Sequence, residues 1–186
     1  AVVAILAALE ARDRTGKGQR IDMSQFEVGV NFSGPSLLDW FANGNAARPT
    51  GNKLPYDYAA PHNCYKCAET IDDSIENERW VAIACMDENQ WQAFKNVMGN
   101  PDWANSPQFN SAAERVNASD ELDQAISAWT QDLDAAVVME QCQGAGVPAG
   151  IVQNGVDLVE KDPQLAAYDF FQPMEGEHPE YGTMTG

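Results

Sequence analysis

The apolar positions of the chain change pattern several times. The first nine residues, Ala1 to Leu9, are uniformly apolar, and the segment continues to Arg12 and Arg14. This predicts a helix over residues 1–14 ending in basic residues, which suit a helix C-terminus. Spanning a membrane takes roughly 20 apolar residues, and a secretory signal needs a basic stretch before the apolar run; neither pattern is present. A helix apolar on every side calls for cover on every side. At the start of the chain it reads as the edge of a larger domain, and the chain as a fragment. Thr15-Gly-Lys-Gly18 is the predicted stop and turn, and Gln19–Met23 a short strand. Ser24 with Glu27 three residues on has the form of a capping box, opening a second helix that Gly34-Pro35 breaks. Leu37, Leu38, Trp40 and Phe41 carry a further apolar helix to Asn43-Gly44.

Residues 44–63 lose all periodicity and are rich in asparagine, proline and glycine, the composition of a connecting loop. Two strands follow, Cys64–Thr70 and Arg79–Met86, joined by the acidic hairpin loop Ile71–Glu78. Trp80-Val-Ala-Ile-Ala-Cys85 has the continuous apolar character of a buried strand. From Asp87 the period becomes helical. Asp87 with Gln90 is a cap, and Trp91, Phe94, Val97 and Met98 share a face. Further helices are predicted at Ser111–Asn117, at Asp120–Thr130 with Leu122, Ile126 and Trp129 inward, and at Asp134–Gln143 with Val137, Val138 and Cys142 inward. Val147–Val152 reads as a returning strand. Asn154 caps a helix over Gly155–Glu160, and Asp162-Pro163 starts a last short one. Tyr181–Gly186 is strand-like. A hairpin, several helices and a returning strand make a small α+β or α/β unit.

Charge divides the chain unevenly. Twenty-eight acidic and 11 basic side chains give a formal net charge of −17, yet residues 1–53 carry +1 and residues 54–186 carry −18. So acidic a surface excludes nucleic acid and anionic membrane as main partners, since both require basic surface. The composition boundary near residue 53 marks two regions with different surroundings. Four cysteines, Cys64, Cys67, Cys85 and Cys142, permit a disulfide framework, but a chain with this much core does not need one. They read as reduced thiols of a cytoplasmic protein.

Candidate chemistry is sparse. Cys64-x-x-Cys67 with His62 has half the spacing of a zinc site, but no second pair follows, and no metal is expected. Thr15-Gly-Lys-Gly18 follows a helix and lacks the ending of a phosphate loop. His62 and His178, both in loop-like settings, are the two side chains suited to proton transfer near neutrality. No serine or cysteine stands in a nucleophile elbow. The acidic groups Asp72-Asp73 and Asp132/Asp134 read as a solvated face, and Trp91, Trp103 and Trp129 as core.

Taken in order, several segments resemble one family. Ala7-Ala8-Leu9-x-x-Arg12-x-x-Thr15-Gly16-x-Gly18-Gln19-x-x-Asp22-x-Ser24 is similar to the helix-turn-strand of the class III CoA-transferases, the CaiB/BaiF type. Gly51-Asn52-x-x-Pro55, Ala60-Pro61, Tyr65-x-Cys67, Trp80–Ala84, Trp91, Met98-Gly-x-Pro-x-Trp103, Val147-Pro-Ala149, Asp162-Pro163-Gln164 and Phe170 continue the match. The resemblance implies an α/β fold: part of a Rossmann-like large domain plus a smaller α+β inserted domain. Residues 1–43 would belong to the large domain, 44–63 to a linker, 64–152 to the small domain and 153–186 to the return toward the large one. Two such subunits would interlock as a homodimer.

The reaction so implied moves coenzyme A, a substrate and not a bound cofactor, from an acyl-CoA donor to a carboxylic acid acceptor. An aspartate attacks the thioester and an aspartyl-CoA thioester follows. In the family that aspartate lies just before the opening Ala/Leu-rich helix, which places it upstream of Ala1, so no catalytic residue is assigned. The resemblance leaves pocket wall within the chain, with Asn52 in the loop Gly51–Pro61 and Glu27 early in the second helix as substrate-binding candidates. The hairpin loop Ile71–Glu78 replaces the tight Asp-Gly tip common in the family. Two alternatives stand beside the transferase: an acyl-CoA racemase of the same family, which needs an acid/base pair, and a non-catalytic binding or interaction module. As an isolated fragment the chain is expected to be inactive.

Overall fold

The computed structural model describes residues 2–54, 58–69, 78–178 and 182–185. The chain divides into two compact units, Ala1–Pro49 and Thr50–Gly186.

The first unit holds three helices: α1 (Val2–Thr15), α2 (Gln25–Phe32) and α3 (Gly34–Asn43). α1 ends where Thr15 donates its hydroxyl to Ala11 O and Gly16, at φ 71°, closes the last turn onto Arg12 O. Positive φ is a conformation that glycine adopts without a Cβ clash. Ser24 caps α2 by accepting from Glu27 N. The break between α2 and α3 falls at Ser33, with Pro35 in the first turn of α3, where its missing N–H costs nothing. Gly44, at φ 74°, ends α3. One expectation fails here. Gln19–Met23 forms no strand, because no described segment offers its backbone a ladder partner. The apolar side chains of α1 are exposed, Val3 at 80% and Leu6 at 60%.

In the second unit β1 (His62–Cys67), β2 (Arg79–Ala84) and β3 (Ala149–Ile151) form an antiparallel sheet in the order β1-β2-β3. Side chains alternate across a strand, and one face, carrying Tyr65, Cys67, Val81 and Ile83, is buried. It packs against α4 (Glu88–Val97), α6 (Ser119–Thr130) and α7 (Ala135–Gly144), which contribute Trp91, Phe94, Leu122, Ile126, Val138 and Cys142 to a continuous core. Phe94 meets Trp129 edge to face at 5.7 Å. Trp103, in a short turn of 3₁₀ helix, meets Phe109 likewise at 6.0 Å, so these tryptophans serve the core. α5 (Ala112–Asn117) opens with a complete capping box between Ser111 and Glu114.

α6 is bolted to the sheet by Thr130, whose hydroxyl donates to Lys66 O at 2.8 Å. Asp134 caps α7 through the N–H groups of Ala136 and Val137. Along α7 the inward residues are Ala135, Val138 and Cys142, while Val137 is 45% exposed, contrary to expectation. The 3.6-residue period cannot present both Val137 and Val138 to the core, and Ala135 shares a face with Val138 and Cys142. Asn154 does act as a cap, accepting from Asp157 N at 2.9 Å, but the turn it opens is a π-turn, Asp157–Lys161. Asp162 then caps α8 (Pro163–Ala167).

A second sheet of two strands, β4 (Pro173–His178) and β5 (Gly182–Thr185), follows. β4 was not expected, and both histidines lie on strands: His62 opens β1 and His178 ends β4. Their neighbours, Pro61 and Pro179, give each the look of a loop in the sequence. Most of the expected hairpin loop Ile71–Glu78, including Asp72-Asp73, lies outside the described residues.

Candidate functional site

With its inner face covered by helices, the three-stranded sheet presents its other face outward. There His62 stands opposite Ala84, Cys64 opposite Ala82, and Ala82 in turn opposite Gly150. Apart from His62 these side chains are small, so the face is hollow rather than filled. A concavity of about 370 Å³ lies over it, bounded by Ala82, Ala84, Pro148, Ala149 and Gly150 on the apolar side. Asn52, His62, Asn63 and Cys64 complete the lining on the polar side.

The polar side is tied together by hydrogen bonds that begin in the turn at residues 50–53. Thr50 donates its hydroxyl to Lys53 O and its carbonyl accepts from Lys53 N, with Gly51 at φ 62° between them. Lys53 reaches across to pair with Asp120 of α6. The turn presents the Asn52 carbonyl to the His62 ring, with Nδ1 2.5 Å from the oxygen. A carbonyl only accepts, so Nδ1 carries the proton. The Asn52 amide donates to Asn63 Oδ1 at 3.0 Å, and Asn63 donates to Asp123 Oδ2 at 2.8 Å. Asp123 Oδ1 accepts from the Tyr65 hydroxyl at 2.7 Å. Burial, reinforced by the Asp123 carboxylate, pushes the Tyr65 phenol well above its ordinary range.

Of the two binding residues expected from the sequence, Asn52 is brought together with His62, Asn63 and the concavity. Glu27 lies in the first unit, exposed in the first turn of α2, its N–H on Ser24 Oγ and its carbonyl accepting from Asn31. Sequence reasoning did not find the pinning of His62, the Asn63–Asp123–Tyr65 chain, or a role for Asp123. The one legible signal was the position of His62 in a Pro-His-Asn run beside a strand of alternating exposure. Cys64 and Cys67, three apart on one strand, fall on opposite faces, so their spacing brings no ligand pair together. Among the described residues, no cluster of three or more His, Cys, Asp or Glu side chains is placed to hold a metal ion. Nor is any described helix long and apolar enough to cross a membrane.

The fold is similar to that of a CaiB/BaiF family protein from Brucella suis, with a TM-score of 0.73 over 98% of this chain and 47% of that one, at 24% identity. The match to the profile of CoA-transferase family III extends over residues 1–186, and the chain belongs to that family. A "Probable CoA-transferase" of Mycobacterium tuberculosis is 35% identical over 91% of this chain and 20% of its own length. The acetyl-CoA:oxalate CoA-transferase of Acetobacter aceti is 32% identical over 88% of this chain and 39% of its own. A succinyl-CoA:mesaconate CoA-transferase of Haloarcula marismortui is 28% identical over 88% of this chain and 37% of its own. The chain thus spans between a fifth and two fifths of these curated relatives.

Proposed function

We propose that this chain is part of an acyl-CoA:carboxylate CoA-transferase. The observation that carries the reading is the family match over all 186 residues, joined to curated relatives whose names are those of CoA-transferases acting on acetyl-CoA with oxalate or succinyl-CoA with mesaconate. In this reading residues 1–43 belong to the large domain, 44–63 link it to the small domain at 64–152, and 153–186 lead back. The working enzyme is a cytoplasmic homodimer of interlocked subunits.

The chemistry follows a two-stage path. An aspartate carboxylate adds to the thioester carbonyl of the donor and expels CoA thiolate, leaving a mixed anhydride. The thiolate attacks the aspartyl carbonyl of that anhydride, releasing the donor's carboxylate and forming an aspartyl-CoA thioester. The acceptor carboxylate then repeats both steps in reverse. Splitting the transfer through an enzyme-bound acyl group lets the CoA thiolate attack an activated anhydride, where direct exchange would set two poor partners together. No residue of 1–186 is assigned as the nucleophile; Asn52 and Glu27 are assigned to the substrate pocket wall, and residues 1–186 alone are inactive.

The test uses the full-length parent protein, incubated with acetyl-CoA and succinyl-CoA and a panel of short carboxylic acids. Exchange of CoA between acids, with a covalent CoA adduct mapped by mass spectrometry to an aspartate outside residues 1–186, is the expected result. Absence of exchange with every pair would overturn the reading, and an adduct within residues 1–186 would overturn the placement of the nucleophile.

A further inference from the structure

His62 and Cys64 stand two residues apart on β1. Side chains alternate along a strand, so both leave the sheet on its outer side. Both line the concavity of about 370 Å³ over that face. At the rise of an extended strand their Cα atoms are about 7 Å apart. Cys67, the other half of the Cys64-x-x-Cys67 pattern, lies in the core, so the fold sets Cys64 beside the histidine instead.

The histidine is engaged on one side only. Its Nδ1–H is spent on the Asn52 carbonyl, and in the neutral ring this leaves Nε2 with the lone pair. Among the described residues no hydrogen bond reaches Nε2. A ring N–H held by a backbone carbonyl, with the opposite nitrogen open, is the arrangement that orients metal-bound histidines. Asn52 is held in turn by its amide bond to Asn63, so the ring is placed before anything binds and little is lost in arranging it. Cys64 supplies the second donor atom. It is half-buried where the other three cysteines are buried. Its backbone N–H goes to Asn63 Oδ1, and among the described residues its sulfur makes no hydrogen bond.

The surroundings select the ion. The lining contains no Lys, Arg, Asp or Glu, and Asp123 already accepts from Asn63 and Tyr65. Zinc asks for four ligands in a tetrahedron. Among the described residues no third His, Cys, Asp or Glu joins this pair, and a single thiolate would leave a divalent ion with net charge against apolar walls. Copper(I) is soft, favours thiolate and imidazole, and is satisfied by two ligands in line. One thiolate and one Cu(I) sum to zero charge, which suits a hollow walled by Ala82, Ala84 and Gly150.

We propose that His62 Nε2 and Cys64 Sγ form a two-coordinate copper(I) site on the outer face of the sheet. On binding, the thiol releases its proton to solvent, one S–Cu and one N–Cu bond form, and the metal remains Cu(I) throughout. The site stands or falls independently of the CoA-transferase reading.

The test supplies Cu(I), as its bicinchoninate complex without oxygen, to the full-length parent protein. Copper withdrawn from the chelator is read by absorbance, and thiols left open are alkylated with iodoacetamide and mapped by mass spectrometry. One equivalent of Cu(I) is expected to slow alkylation of Cys64 about tenfold or more, and Zn(II) at the same concentration is not. Cys64→Ser should withdraw one equivalent less than the unmodified protein. His62→Asn keeps an amide N–H for the Asn52 carbonyl but lacks Nε2, and should weaken that equivalent about tenfold or more. Thermal melts without copper accompany both variants. If His62→Asn fails to fold, X-ray absorption at the copper edge of the unmodified protein decides, with one nitrogen and one sulfur ligand expected. Unprotected Cys64, undiminished copper uptake in Cys64→Ser, or unchanged affinity in folded His62→Asn would each overturn the proposal. So would equal protection by Zn(II), or a copper spectrum lacking the nitrogen ligand.

Discussion

The guanidinium of Arg115 lies over the indole of Trp91, 4.9 Å from the ring centroid, with the arginine fully buried. Its Nε donates to Ala60 O, one terminal nitrogen to Phe109 O, and both terminal nitrogens to the Glu88 carboxylate. Arg115 thereby fastens the segment entering β1, the turn before α5 and the start of α4 to one another. The Glu88 side chain is 51% exposed, so the two partners of this ion pair are not equivalent. Arg115→Met strands two buried carbonyls and is expected to cost about 3–5 kcal/mol. Glu88→Gln leaves the arginine its two carbonyls and the indole, and should cost about 1 kcal/mol. Urea unfolding of both variants checks this, and equal losses would show that the carboxylate rather than the carbonyl contacts carries the arginine.

The Tyr65–Asp123 bond links β1 to α6 beneath the concavity. Burial first, and the neighbouring carboxylate second, raise the Tyr65 pKa in the folded protein. A raised pKa means the folded state holds its proton where the unfolded state releases it. The contribution is therefore complete below about pH 10, the ordinary tyrosine value, and is lost progressively as pH rises beyond it. Tyr65→Phe is expected to lower stability by about 1–3 kcal/mol at neutral pH and to flatten the loss above about pH 10. Melting temperatures measured from neutral to strongly alkaline pH decide it; parallel profiles for the two proteins would refute the linkage.

What the sequence disclosed and what it hid divide by distance along the chain. Ser24, Asp87 and Asn154 were legible as caps because each accepts from a backbone N–H three residues on. The core faces of α4 and α6 were legible because their period is local. Asp123 was not, since Asn63 and Tyr65 lie 60 and 58 residues before it. Arg115 stands in a short helix for which the sequence marked no buried face, and the packing of Trp91 and the Ala60 carbonyl around it makes a buried cation tolerable. Asn52 was reached through family resemblance. That its carbonyl pins His62 depends on a ten-residue excursion that no periodicity encodes. Val137 was misplaced because two adjacent valines look equally apolar and only one can face inward.

Arg79 and Asp157 join β2 to the π-turn through a 2.6 Å contact in which each side chain is 11% exposed. Burial alone would favour the neutral acid, but the Asn154 N–H, Arg79 and Lys161 outweigh it and lower the Asp157 pKa. A lowered pKa confers stability that is present above the unfolded value of about 4 and fades as pH falls below it. Asp157→Asn is expected to cost about 2–4 kcal/mol at neutral pH and to reduce the steepness of acid unfolding below about pH 4. Acid titration followed by circular dichroism compares the two, and an unchanged acid limb would remove Asp157 from the linkage.

The four cysteines separate into one accessible thiol and three sealed ones. Cys67, Cys85 and Cys142 are each 2% exposed or less, and burial pushes their thiols up to about 11, 12 and 11 respectively. For Cys67 the Asp134 carboxylate adds to the effect, and for Cys85 the Arg115 cation partly opposes it. The thiolate is the reactive form, so near pH 8 these three are both shielded and protonated. Cys64, half-buried on the wall of the concavity, is the exception. An aromatic disulfide reagent at about pH 8 is expected to modify one thiol per folded chain, at Cys64, and all four after denaturation. Rapid native modification of two or more thiols would show that the core opens on the timescale of the reaction.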